Sequence, residues 1–90
     1  MGKQFTPAEV RRYEAVRYAI RARMRATPRS GRVTLADASD ALERAGRARS
    51  HRYLRAVLSG EKRSRPALRE LSAAVRAIRE RREADLPSWL

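Results

Sequence analysis

Within the segment Ser50-His51-Arg52-Tyr53-Leu54-Arg55-Ala56-Val57-Leu58-Ser59-Gly60, cationic and apolar side chains alternate at helical spacing. At about 100° per residue, Leu54, Val57 and Leu58 gather on one side of such a helix. Arg52, Arg55, Ala56 and Ser59 fall opposite, with His51 at the edge. An arginine on that face can pair bidentately with guanine O6 and N7, and a small residue beside it permits close approach to a base edge. Arg47, Arg49, Lys62, Arg63 and Arg65 flank the segment and suit phosphate oxygens. Ser50 and Ser59 stand at its two ends, Ser50 where unpaired N–H groups attract anions. The competing reading is a solvated face whose charges contact nothing specific.

Charge distribution favours the first reading. The 90 residues carry 22 Lys plus Arg against 10 Asp plus Glu, a formal net charge of +12. Twenty of those cations are Arg, a bias that a GC-rich coding sequence also produces. By segment the net charge is +6 over residues 1–30, −1 over 31–45, +6 over 46–65 and +1 over 66–90. An acidic stretch directly before the most cationic one is not what a uniform arginine bias gives, and a balance this basic points to nucleic acid.

Other chemistries lack their residues. With no Cys and one His, thiolate chemistry and a zinc site built on sulfur and imidazole are excluded. His51 as a catalytic base lacks a nearby carboxylate to orient it. Asp37 and Asp40 read as first-turn acids favouring a helix dipole, and Glu80 and Glu83 among Arg79, Arg81 and Arg82 as a salt-bridged solvent face. The expectation is a protein that is not an enzyme and needs no cofactor, metal or small-molecule substrate. At 42% hydrophobic and 36% charged, the chain has enough apolar residues to fold and too many charges for a membrane span. The N-terminal residues show no secretion signal, so the expected location is cytoplasmic.

The elements that must position these residues are legible from caps and periodicity. Thr6-Pro7-Ala8-Glu9 is a capping box with a first-turn proline, flanked by a staple of Phe5 and Val10. Val10, Tyr13, Val16, Ile20 and Met24 then form one apolar stripe, predicting a helix over 7–26 that Pro28 stops. A second box, Thr34 with Asp37, opens a helix over 35–45 with Leu35, Ala38, Leu42 and Ala45 inward and Gly46 ending it. Ser50 caps a third over 51–58, stopped by Gly60. Pro66 starts a fourth over 66–85, with Leu68, Leu71, Val75 and Ile78 inward. No period-2 alternation or internal repeat appears, so the expected fold is all-α, a small four- to five-helix bundle in a single domain over 1–90.

The stretch from Thr34-Leu35-Ala36-Asp37 through Ala41-Leu42-Glu43-Arg44-Ala45-Gly46, and on through Arg49 to Gly60, resembles the helix-turn-helix of the Cro and phage-repressor family. Apolar residues six and three positions before the glycine, here Leu54 and Val57 before Gly60, are similar to that family's recognition helix. The following Gly60-Glu61-Lys62-Arg63-Ser64 is similar to its basic loop. The resemblance covers about residues 33–80 and implies a lambda-repressor-like fold and a DNA-binding transcriptional regulator, phage-encoded or phage-derived and nucleoid-associated. It places base reading on His51, Arg52 and Arg55 and backbone contacts on Ser50 and Ser59. The connection between the second and third helices is about two residues longer than the family's turn, so either the turn is expanded or the third helix starts earlier.

Leu86, Trp89 and Leu90 form an apolar tail after Pro87 that either tucks over its own core or makes a dimer contact. Tyr18, outside the first helix's apolar stripe, could join that contact, and the family resemblance favours a homodimer on paired half-sites. Two other functions stay open: a nonspecific DNA- or RNA-binding protein, and a basic adaptor or inhibitor docking on an acidic protein.

Overall fold

Four serine or threonine side chains set where the helices begin. In the computed structural model, which describes residues 5–26 and 31–85, Thr6, Thr34, Ser50 and Ser64 each accept a hydrogen bond from the backbone N–H three residues ahead. Both predicted capping boxes close reciprocally, Thr6 with Glu9 and Thr34 with Asp37, at 2.9–3.2 Å. The helices they open are α1 (Pro7–Arg25), α2 (Leu35–Arg44), α3 (His51–Ser59) and α4 (Arg65–Ala84). Among the described residues there is no strand, and the fold is a small all-α bundle.

The ends are equally local. After α2 the Arg47 N–H donates to the Leu42 carbonyl and the Gly46 N–H to Glu43, with Gly46 at φ 74°, the paired bonds of a Schellman close. The connection to α3 is therefore an expanded turn over residues 45–50, and α3 does begin at His51. Ala45, expected on the inner face of α2, lies beyond the helix end and is exposed.

The core joins Tyr13, Ile20 and Met24 of α1 to Ala38 and Leu42 of α2, Leu54, Val57 and Leu58 of α3, and Leu68, Leu71, Ala74 and Val75 of α4. Leu54, Val57 and Leu71 are completely enclosed, which fixes α3 against α2 and α4. Phe5 meets the Tyr13 ring edge-on at 5.5 Å. Two expectations are corrected. Val16 is 45% exposed, whereas its neighbour Arg17 is 4% exposed, because the buried side of α1 faces the carbonyl end of α3 and a donor is needed there. Arg82 does not pair within its own helix: it binds Asp37 and the Arg32 carbonyl, at 3.1 and 2.9 Å, strapping α4 to the start of α2.

Candidate nucleic-acid interface

The exposed face of α3 is an arc of about 100° that carries His51, Arg55, Ser59 and Arg52 in angular order. Ala56, expected on it, is buried, because the chain after Gly60 folds back over it and the Lys62 N–H donates to the Ala56 carbonyl at 3.2 Å. The exposed arc is thus wholly polar. Among the described residues, His51, Arg52 and Arg55 enter no salt bridge, so their donors face outward uncommitted.

The flanking cations divide into two groups. Lys62 and Arg63 are exposed and, among the described residues, form no ion pair, and Arg47 stands 3.9 Å from Glu70. Arg49 is held by Glu70 through two contacts of 2.8 and 3.3 Å and lies over the Tyr53 ring. Arg65 is held by Glu9 and lies 4.5 Å from the Phe5 ring centroid. The Arg65–Glu9 pair is exposed at both ends and contributes only about 0–1 kcal/mol, so Arg65 can exchange its carboxylate for a phosphate at little cost, whereas the partly buried Arg49–Glu70 pair exchanges at a higher cost. The Ser50 oxygen accepts from the Tyr53 N–H at 3.0 Å as the α3 cap, and the Ser59 hydroxyl donates to the Ala56 carbonyl. Tyr18 is 57% exposed under the Arg17 guanidinium, while Leu86, Trp89 and Leu90 lie outside the described residues.

Two α1 residues hold this region in place: Tyr13, which the sequence places on the apolar stripe, and Arg17, which it passes over. The Tyr13 hydroxyl accepts from the Ser64 N–H at 2.9 Å, fixing the loop that carries Lys62 and Arg63. Arg17 donates to the Leu58 carbonyl at 2.8 Å and, through two further nitrogens, to both oxygens of Glu14 at 2.7 and 2.8 Å. Its positive charge meets the negative end of the α3 dipole. Gly60, at φ 93°, leaves room for it, since a Cβ there would come within 3.2 Å of the guanidinium carbon. Arg17→Met removes three charge-assisted hydrogen bonds and leaves the Leu58 carbonyl without its donor. The expected loss is about 1–3 kcal/mol, read as a Tm lowered by roughly 4–8 °C per kcal/mol in thermal unfolding.

The ion pairs also set a pH dependence. Hydrogen bonds from the Arg17 guanidinium hold the Glu14 carboxyl below its usual range, and those from Arg49 do the same for Glu70. The Thr34 N–H, supported by Arg82, lowers Asp37, and the Thr6 N–H, supported by Arg65, lowers Glu9. All four carboxyls are more acidic folded than unfolded, so their stabilisation is present above the ordinary carboxylate range and is lost as pH falls through the depressed folded values. Tm is expected to hold steady above about pH 5 and fall progressively below about pH 4. A Tm unchanged down to about pH 2 would show that these pairs contribute nothing.

Arg21, Arg25 and Arg32 line a recess with Leu58 and Thr34, extending cationic surface from α1 past the end of α3. Among the described residues no cluster of His, Cys, Asp or Glu could hold a metal ion, and no helix is long and apolar enough to cross a membrane. Fold and site together define an all-helical protein that presents a short cationic helix on a rigid frame. Compared with known proteins, the chain matches no family model, no curated protein and no solved structure.

Proposed function

We propose that this protein is a sequence-specific double-stranded DNA-binding transcriptional regulator of the helix-turn-helix kind, similar to Cro and the phage repressors, with α3 entering the major groove. The observation that carries the reading is the outward arc of α3, where His51, Arg52 and Arg55 stand exposed and uncommitted beside buried Leu54, Val57 and Leu58. Base readout needs donors free to meet O6 and N7 on a helix whose other side is locked to a core. Arg47, Lys62 and Arg63 supply phosphate contacts at either end of that helix, joined by Arg49 and Arg65 on exchange. The Ser50 hydroxyl proton and the α3 N-terminus serve a further phosphate. Paired half-sites about one helical turn apart follow if two copies associate through the Tyr18 side or the 86–90 tail.

The test is selection of bound duplexes from a random pool at one stated salt concentration. A short consensus is expected to emerge within successive rounds, and α3 variants are expected to change it. A pool that binds without enrichment supports the nonspecific nucleic-acid binder instead, and absence of duplex binding at any salt favours a protein partner.

A further inference from the structure

The groove between α2 and α4 lies apart from the base-reading face just described: none of its lining residues belongs to α3, and of the cations proposed for phosphate contacts only Arg47 lines it. It encloses about 870 Å³, and α4 lines it from Arg69 to Arg82, a run of about 20 Å at 1.5 Å per residue. Its floor is apolar: Ala41, Leu42, Ala74, Ala77 and Ile78 meet along it, and Ile78 is only partly covered. Its rim is cationic. Five arginines face two acids there, and both acids are already engaged, Asp37 by Arg82 and Glu70 by Arg49 and Arg47. Arg44, Arg69 and Arg81 are exposed and, among the described residues, form no ion pair.

An apolar floor between uncommitted cations selects its occupant by charge. A second copy of a +12 chain brings like charge to this rim, whereas a helix with large apolar residues on one face and carboxylates along both flanks satisfies floor and rim together. We propose that the α2–α4 groove is the docking site for an acidic amphipathic helix of a partner protein, about 14 residues long. Because α3 lines none of it, the base-reading face stays open while the partner is bound; on the proposed function, duplex and partner meet only at Arg47, the arrangement of a DNA-bound protein that recruits or is restrained by another. The groove assignment stands on its own residues and is tested without DNA.

The probe is a synthetic helix of about 14 residues with Leu on one face and Glu on its flanks. Controls are its Lys-for-Glu counterpart and a scrambled peptide of the same composition. The full chain, isotopically labelled, is titrated with each and followed by NMR. The acidic helix is expected to bind at least about tenfold tighter than either control, with shifts concentrated at Ala41, Ala45, Ala73, Ala77 and Ile78. Ala77→Arg separates seating from attraction, because it adds a cation while filling the floor. It is expected to weaken binding about tenfold or more, where simple attraction predicts strengthening. Equal binding of the scrambled peptide, shifts spread over α1 and α3, or tighter binding by Ala77→Arg overturns the proposal. So do groove resonances that move on dilution, which make a second copy the occupant, or contacts from Trp89 to Ile78 in the free chain, which make it the 86–90 tail.

Discussion

Raising the salt concentration from about 50 to about 200 mM is expected to weaken binding to a selected duplex by about 10³- to 10⁵-fold. The range follows from six to ten neutralised phosphates, each releasing close to one condensed counterion, so that log K falls with log salt at a slope near −0.9 per contact. The structure supplies about that many candidates. Arg47, Lys62 and Arg63 are exposed beside α3, Arg49 and Arg65 become available by exchange with Glu70 and Glu9, and Arg21, Arg25 and Arg32 extend the same surface beyond Leu58. The exchanging pairs work slightly against the trend, since salt loosens a surface ion pair as well. The exposed Arg65–Glu9 pair contributes at most about 1 kcal/mol and the partly buried Arg49–Glu70 pair is screened less by salt, so the phosphate term dominates. The slope is measured by fluorescence anisotropy on one duplex across a salt series. Lys62→Ala and Arg63→Ala are each expected to make it shallower by about one. A nearly flat series would remove the phosphate backbone from the interaction and leave protein recognition as the function.

The elements holding these cations were legible because their signals are local. Thr6 with Glu9, Thr34 with Asp37, Ser50, and Gly46 and Gly60 each act on backbone groups within a few residues, so their consequences do not depend on the rest of the fold. The exposure of Arg52 and Arg55 was legible for the same reason, because helical spacing places them opposite Leu54, Val57 and Leu58. Arg17 was not. Tyr13, Arg17, Ile20 and Met24 are spaced four, three and four apart and form the buried side of α1, but choosing apolar residues puts Val16 on the stripe and passes over the cation. Only the Leu58 carbonyl, 41 residues away, explains why a guanidinium belongs there. Ala56 failed similarly: its position on the helical wheel is at the boundary, and a chain reversal through Lys62 decides which side it joins. The pairing of Arg49 with Glu70 and of Arg65 with Glu9 is likewise long-range, and no local pattern marks it.

Replacing Arg52 and Arg55 by Ala is expected to cost roughly 1–3 kcal/mol each in discrimination, with the loss confined to one or two base positions per variant. Both side chains leave α3 on its exposed arc, and their Cα positions are fixed by Leu54 and Val57, which are fully enclosed, and by Arg17 on the Leu58 carbonyl. The fixed backbone spares the cost of ordering α3, while each free arginine side chain still costs about 0.5–1.5 kcal/mol to order, which a matched base edge offsets and a mismatched one does not. The residues sit three apart on one helix and on the proposed function would meet neighbouring base pairs, so the double variant is expected to lose about 2–6 kcal/mol if the two act independently, and coupling between them would show as a departure from additivity. Arg63 provides the contrast, since a phosphate contact from the loop carries no base identity and Arg63→Ala is expected to weaken every duplex alike. All variants are compared on selected and scrambled duplexes at one salt concentration, after thermal unfolding shows that each retains the parent Tm. These sites are exposed, and removing such side chains leaves the core intact. If Arg52→Ala and Arg55→Ala lower affinity for both duplexes equally, α3 tracks phosphates without reading bases, and the nonspecific nucleic-acid binder becomes the better reading.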